Sequence, residues 1–381
     1  MVSSTGDPLT LAASLVIVFS ATGSAPAVAA VYAVRTAAAL LVGSTMGWLT
    51  DRVDRRRLVL ALDVARALLI ATMPFATRLS VFVVYVYLLA LGGVEALVQP
   101  ARLAAVPGLV GKPAIEVANS LLVSAVSLAQ VAGFALAGVT LAVVSDPRPL
   151  YLCDALSFAV AAALVWSLPT LGGGDGGTAV GALRARLPPV PLRPLLALAA
   201  AANLLIGVAT PALLPLAFLL SARGPVAYAA LEMALIGGIV SGGLASSRVP
   251  SSATLRAMGP SLLLFSAATL AVGVAPLLVT ALLAISISGA GNAIFAVGNR
   301  SALMRAAGQQ EQGTVMAARF ALCQTAQVLG LGCGAALVAA LGPRFDFGMV
   351  AFGLALIGGF CGLRTLGFPP PYGPRTGEGD I

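Results

Sequence analysis

Apolar runs of about twenty residues recur along the whole chain, each broken by a short cluster of proline, glycine or charge. A helix needs about 20 residues to cross a hydrocarbon core near 30 Å thick. In lipid the backbone satisfies its N–H and C=O groups only inside a helix or a closed barrel. Twelve runs are read, at 3–22, 27–49, 58–76, 80–97, 119–144, 149–168, 194–219, 226–246, 257–273, 276–298, 314–341 and 347–363. Charged residues make up 9% of the chain, against roughly 25% in a soluble domain, too few to cover a globule in water. The predicted fold is an all-α polytopic membrane protein of twelve transmembrane helices, embedded in a lipid bilayer.

The basic residues set the orientation. The even connections hold Arg52, Arg55, Arg56, Arg57, Arg102, Lys112, Arg184, Arg186, Arg193, Arg248, Arg256, Arg300 and Arg305. The odd connections hold only Arg78, Arg148, Arg223 and Arg344. Cytoplasmic loops carry the excess of arginine and lysine, so the even connections and both termini are placed in the cytoplasm, in the inner membrane. The net charge of +8 therefore reads as topology and not as a groove for nucleic acid. Cys153, Cys323, Cys333 and Cys361 lie in or beside apolar runs without metal-ligand spacing, and the chain has no histidine. No metal and no cofactor is expected. No phosphate-binding loop and no hydrolytic constellation is present, so an enzyme is not expected either.

The longest break, "PTLGGGDGGTAVGALRARLPPVPLRP", is glycine-rich and then proline-rich. It reads as a flexible linker over 169–193, between six-helix bundles at 1–168 and 194–366. The last residues, 367–381, read as a disordered tail. "AQVAG" at 129–133 recurs as "AQVLG" at 326–330, and "GWLTDR" from Gly47 has an echo in "GGLASSR" from Gly242 at nearly the same offset. Equivalent places in the two halves point to a six-plus-six duplication, so the bundles are expected to be pseudo-symmetric.

The charge-dense segment "GWLTDRVDRRR" at 47–57 lies between the second and third runs. It resembles the signature loop of the major facilitator superfamily, Gly-x-Leu-x-Asp-Arg-x-Gly-Arg-Arg/Lys, with Asp54 where glycine is usual. "QPARLAAVPGLV", "VANSLLVSAV", "YLCDALSFAVAAAL" and "STGDPLTLAASL" resemble its branch of enterobactin exporters and macrolide efflux proteins. Two readings of the loop stand. Arginines alone pin it in the cytoplasm. The resemblance adds a gating loop of Gly47, Leu49, Asp51, Arg52, Arg55 and Arg56, in which Asp51 meets the start of the eleventh helix at Thr314, with Arg319 a turn further in. Free N–H groups and the helix dipole favour an anion there. Arg55 is expected to reach Glu95 near the end of the fourth run, completing a latch on the outward-facing state.

In the resembled fold, helices 2 against 11 and 5 against 8 are the seams on which the halves rock. Gly133, Gly138, Gly242 and Gly330 are the candidate seam glycines, since small residues let helices approach closely. "GFALAG" at 133–138 resembles an antiporter signature, with Phe134 in place of its proline.

Charges within the runs are functional candidates: Asp7, Arg35, Asp154 and Glu232, with Asp63 and Arg66 spaced as an i,i+3 pair. The depths of Arg35 and Asp154 suit pairing within the first half. Glu232 is read as the sole carboxylate inside a run of the second half and has no cation on its own helix. It is the candidate proton carrier, unless an arginine of another helix or water near the outer mouth meets it.

The resemblance implies a monomeric secondary transporter, a proton-coupled exporter of small amphipathic molecules, drug- or siderophore-like. The alternative is a protein of this fold that serves as a scaffold or sensor, because Asp7 has fewer residues before it than the family's first helix supplies.

Overall fold

A computed structural model describes residues 2–52, 55–110, 115–144, 146–167, 192–246, 248, 253–307 and 312–365. Among these, twelve helical rods follow one another with no strand. They are α1 (Val2–Thr22), α2 (Ala25–Arg52), α3 (Arg55–Leu79), α4 (Val83–Val110), α5 (Ile115–Val143) and α6 (Pro149–Trp166). After the break come α7 (Arg193–Leu220, with a 3-10 turn at Thr210–Ala212), α8 (Gly224–Ser246), α9 (Thr254–Val274), α10 (Leu278–Ala306), α11 (Gln312–Leu341) and α12 (Pro343–Thr365). Ten are long and apolar enough to cross a membrane, and α2 and α4 hold shorter apolar stretches at Ala25–Ala38 and Val83–Val98.

Turn chemistry explains the tight connections. Gly23, between α1 and α2, has φ +60°, and Gly342, between α11 and α12, has φ +83°. Both lie in the left-handed region that glycine enters without steric cost. Gly342 also donates its N–H to Val338 O, closing the end of α11, and Pro343 then opens α12. The linker and tail expected at 169–193 and 367–381 fall, apart from Leu192 and Arg193, outside the described residues.

In the first half α1 packs on α5 and α6, α2 on α4, and α3 on α6 and α4. In the second, α9 packs on α12 and α10, α8 on α10, and α7 on α11. The halves meet where α5 lies against α8 and α2 against α11. The largest apolar cluster draws on both halves, including Leu15, Val31 and Phe134 from one and Leu213, Ala217, Tyr228 and Ile285 from the other. All of these lie towards the odd connections. The remaining clusters stay within one half, such as Leu192, Leu196, Leu303 and Val315, or Leu58 and Val59. Among the described residues, burial thus seals the two halves together at the odd-loop end.

The expected seam glycines divide. A Cβ at Gly138 would sit 3.3 Å from Ala229 Cβ, across the α5–α8 seam. The other three pack within a half. Gly133 faces Thr5 O and Pro8 on α1, Gly242 faces Ala290 on α10, and Gly330 faces Leu204 O and Gly207 on α7. Three of the four therefore serve tight packing inside a bundle, because a missing Cβ matters most where two backbones touch.

Candidate functional site

Five helices of the first half bring their charges to one place. Arg35 on α2 puts Nη2 2.6 Å from Glu95 Oε2 on α4 and 3.9 Å from Asp7 Oδ1 on α1. Arg66 on α3 puts Nη2 2.6 Å from the same Asp7 oxygen and lays its guanidinium over the Phe158 ring of α6, 4.1 Å from its centroid. Asp154 on α6 accepts from Thr10 Oγ1 at 2.5 Å and Ser157 Oγ at 3.1 Å. Ser14 and Tyr151 add a hydroxyl pair at 3.0 Å between α1 and α6. A Cβ at Gly6 would overlap the Asp154 carboxylate, so α1 approaches α6 this closely only with glycine there. At this depth a charge is expensive unless partnered, and the chain of acid, guanidinium and acid supplies the partners. Arg66 is 4% exposed, whereas Arg35, Asp7 and Glu95 are each about a quarter exposed, so the network runs from the buried core to an accessible edge.

Several expectations are corrected here. Glu95 does not stand near the end of its helix, because α4 continues to Val110, well past the apolar run. At 1.5 Å per residue Glu95 lies about 20 Å from that end, too far for Arg55 at the start of α3. It pairs with Arg35 instead. Arg35 does not pair directly with Asp154. The two reach the same cluster through Asp7 and Thr10. Arg66, expected to pair with Asp63 on its own helix, turns to Asp7.

The gating loop is only partly visible. Gly47, Leu49, Asp51 and Arg52 end α2, Arg55 opens α3 and Thr314 lies in the first turn of α11. The side chains of these six lie outside the described residues, as do Val53 and Asp54 altogether. Arg56 does more than anchor a loop. It donates to the backbone carbonyls of Val165 and Trp166 and covers the Trp166 ring, satisfying orphan carbonyls at the end of α6. Arg319 donates from Nε to Asn299 Oδ1 at 3.1 Å, and Asn299 donates to Leu195 O at 2.9 Å, tying α11 to α10 and α7.

Among the described residues the helices of the second half hold two carboxylates, where the apolar runs contain one. Glu232 accepts from Tyr228 Oη at 2.9 Å, and Tyr228 Oη lies 3.0 Å from Tyr32 Oη on α2. The other oxygen of Glu232 accepts nothing among the described residues. Asp346, in the first turn of α12, is fully buried, and neither of its oxygens meets a hydrogen-bond partner among the described residues. It precedes the apolar run at 347–363, so hydropathy does not place it in the helix. Pro343 marks the first helical position and would have placed Asp346 inside the helix.

Across residues 2–330 the chain matches the model of the Major Facilitator Superfamily. The chain belongs to this superfamily. Its fold is shared with solved members at low identity. A peptide transporter POT variant in complex with alafosfalin has a TM-score of 0.73 at 16% identity, covering 96% of this chain and 92% of that one. A bacterial homologue of the iron transporter ferroportin in the inward-facing state gives 0.66 at 16%, covering 96% and 95%. The human organic anion transporter MFSD10 (TETRAN) gives 0.63 at 19%, covering 94% and 98%. No curated protein matches the chain. For a member of this superfamily the findings point to a transporter of small molecules rather than an enzyme.

Proposed function

We propose that this superfamily member is a proton-coupled exporter of small amphipathic molecules, in the branch of enterobactin exporters and macrolide efflux proteins. One observation carries the reading. Glu232 stands beside the junction of the halves, bonded to a phenol, with one free oxygen and no Arg or Lys against it among the described residues. A carboxylate so placed can take up and release a proton as its surroundings change, which is what coupling needs. The two halves, 1–168 and 194–366, rock about the linker at 169–193. Asp51 latches to the start of α11 at Thr314, a reading supported by the packing of α2 along α11. The packing of α1 on α5 and α6 supports a transporter over a scaffold. The protein works as a monomer in the inner membrane.

With the even connections in the cytoplasm, the sealed end is the outer one, and the structure reads as inward-facing. A cysteine at Ala222, exposed between α7 and α8, should then react with impermeant maleimide added outside intact cells, in a background lacking the four native cysteines. Protection from the outside together with labelling from the inside would reverse the orientation.

Glu232→Gln should slow substrate movement driven by an imposed pH gradient in vesicles by roughly tenfold or more, with substrate binding retained. Wild-type rates with an unchanged pH profile would remove Glu232 from the coupling role.

A further inference from the structure

Tyr32 and Tyr228 take no part in the charge network, yet they join the two halves through side-chain hydroxyls within the apolar seal. Tyr228 is 1% exposed and belongs to the cluster shared by both halves. Its ring meets Phe134 of α5 edge-on at 6.3 Å, and nearby Phe19 of α1 meets Phe218 of α7 at 5.0 Å. All of these contacts cross from one half to the other.

The hydroxyl chain has a direction. An ionised carboxylate only accepts, so the Tyr228 proton goes to Glu232 Oε1 and the Tyr228 oxygen accepts from Tyr32. Each bond polarises the next, and the Tyr228 hydroxyl, on a fully buried side chain, is expensive to leave unpaired. Phenylalanine at both positions would fill nearly the same volume and bury as much hydrocarbon, so the hydroxyls are not needed for burial. Their effect is register and reversibility. They meet only when the two halves close in one alignment, and on opening they become hydrated where two bare rings would expose hydrocarbon alone.

We infer that Tyr32 and Tyr228 are gating residues that, with Glu232, form a clasp holding the two halves together at the odd-loop end. The clasp rests on the reading above that the halves rock against each other. It makes Glu232 the far end of a device that senses whether that end is closed.

The test reads the gate and not transport. In a cysteine-free background, Ala217→Cys places a thiol in the sealed seam, where the native residue is fully buried. Its reaction with impermeant maleimide is normalised to Ala222→Cys. Tyr228→Phe breaks both bonds and should speed labelling at position 217 about fivefold or more, the factor one lost hydrogen bond carries. Tyr32→Phe removes the one bond of the chain that crosses the halves, while the Tyr228–Glu232 bond within α8 stays, and should give a rise of similar size. Glu232→Gln keeps a carbonyl acceptor and should stay near the parent rate. Ala268→Cys, buried within the second half, should not respond to any of them. An unchanged rate in Tyr228→Phe, or a parallel rise at position 268 showing general loosening, would overturn the clasp. Vesicles that move no substrate while the labelling series behaves as expected would sink the export reading alone.

Discussion

Arg66→Met should lower stability by roughly 3–5 kcal/mol, the usual result of removing one partner from a buried ion pair. Arg66 is 4% exposed, pairs with Asp7 at 2.6 Å and covers Phe158. Methionine matches much of its volume, so the loss is chiefly electrostatic. Asp7 would keep only Arg35, at 3.9 Å and already engaged by Glu95. The check is the thermal midpoint of the purified protein, read beside the double variant with Asp7→Asn. Removing the stranded acid should recover part of the loss. A double variant no more stable than Arg66→Met would mean that the pair does not act as a unit.

Gly238→Val is expected to be nearly as damaging, from overpacking instead of charge. A Cβ at Gly238 would stand 2.7 Å from the Ser286 carbonyl carbon and 2.9 Å from its Cα, with the carbonyl oxygen closer still. The obstacle is backbone, so α8 and α10 must separate, at a cost of about 1–3 kcal/mol or more. The neighbouring Gly237→Ala should be neutral or slightly stabilising, since its Cβ meets nothing within 4 Å and alanine favours the helix. Comparing the two in one thermal assay separates the contact from helix propensity. Equal effects would contradict the close approach.

The number of rods was legible in the sequence because length and hydropathy are set by the bilayer one span at a time. Their ends were less so. The apolar run of α4 ends at 97 while the helix continues to Val110, since the last turns of a membrane helix need not be apolar. That difference moved Glu95 from a loop-proximal partner of Arg55 to a mid-helix partner of Arg35. Pairings were the least legible, as the spacing of Asp63 and Arg66 illustrates. It is ideal for a local pair, yet Arg66 reaches Asp7, 59 residues away. A glycine's identity is visible in the sequence but its face is not, and of the four candidates only Gly138 points across the seam.

Read along the chain alone, the sequence places this protein across a membrane repeatedly, in a known superfamily, with Asp7, Arg35, Asp154 and Glu232 inside its spans but not Asp346. Hydropathy and motif spacing vary along one dimension, and those conclusions are one-dimensional. Which helices touch, and how each is turned about its own axis, was decided only in the tertiary structure. In lipid every outer face is apolar, so hydrophobicity does not distinguish a face against a neighbour from a face against solvent. The lateral neighbours are chosen by close backbone contacts such as Gly238 on Ser286, and by the need of each buried charge for a partner such as Arg35 for Glu95. Those choices brought Asp7, Arg35, Arg66 and Glu95 together, and Tyr32 to Tyr228 across the two halves.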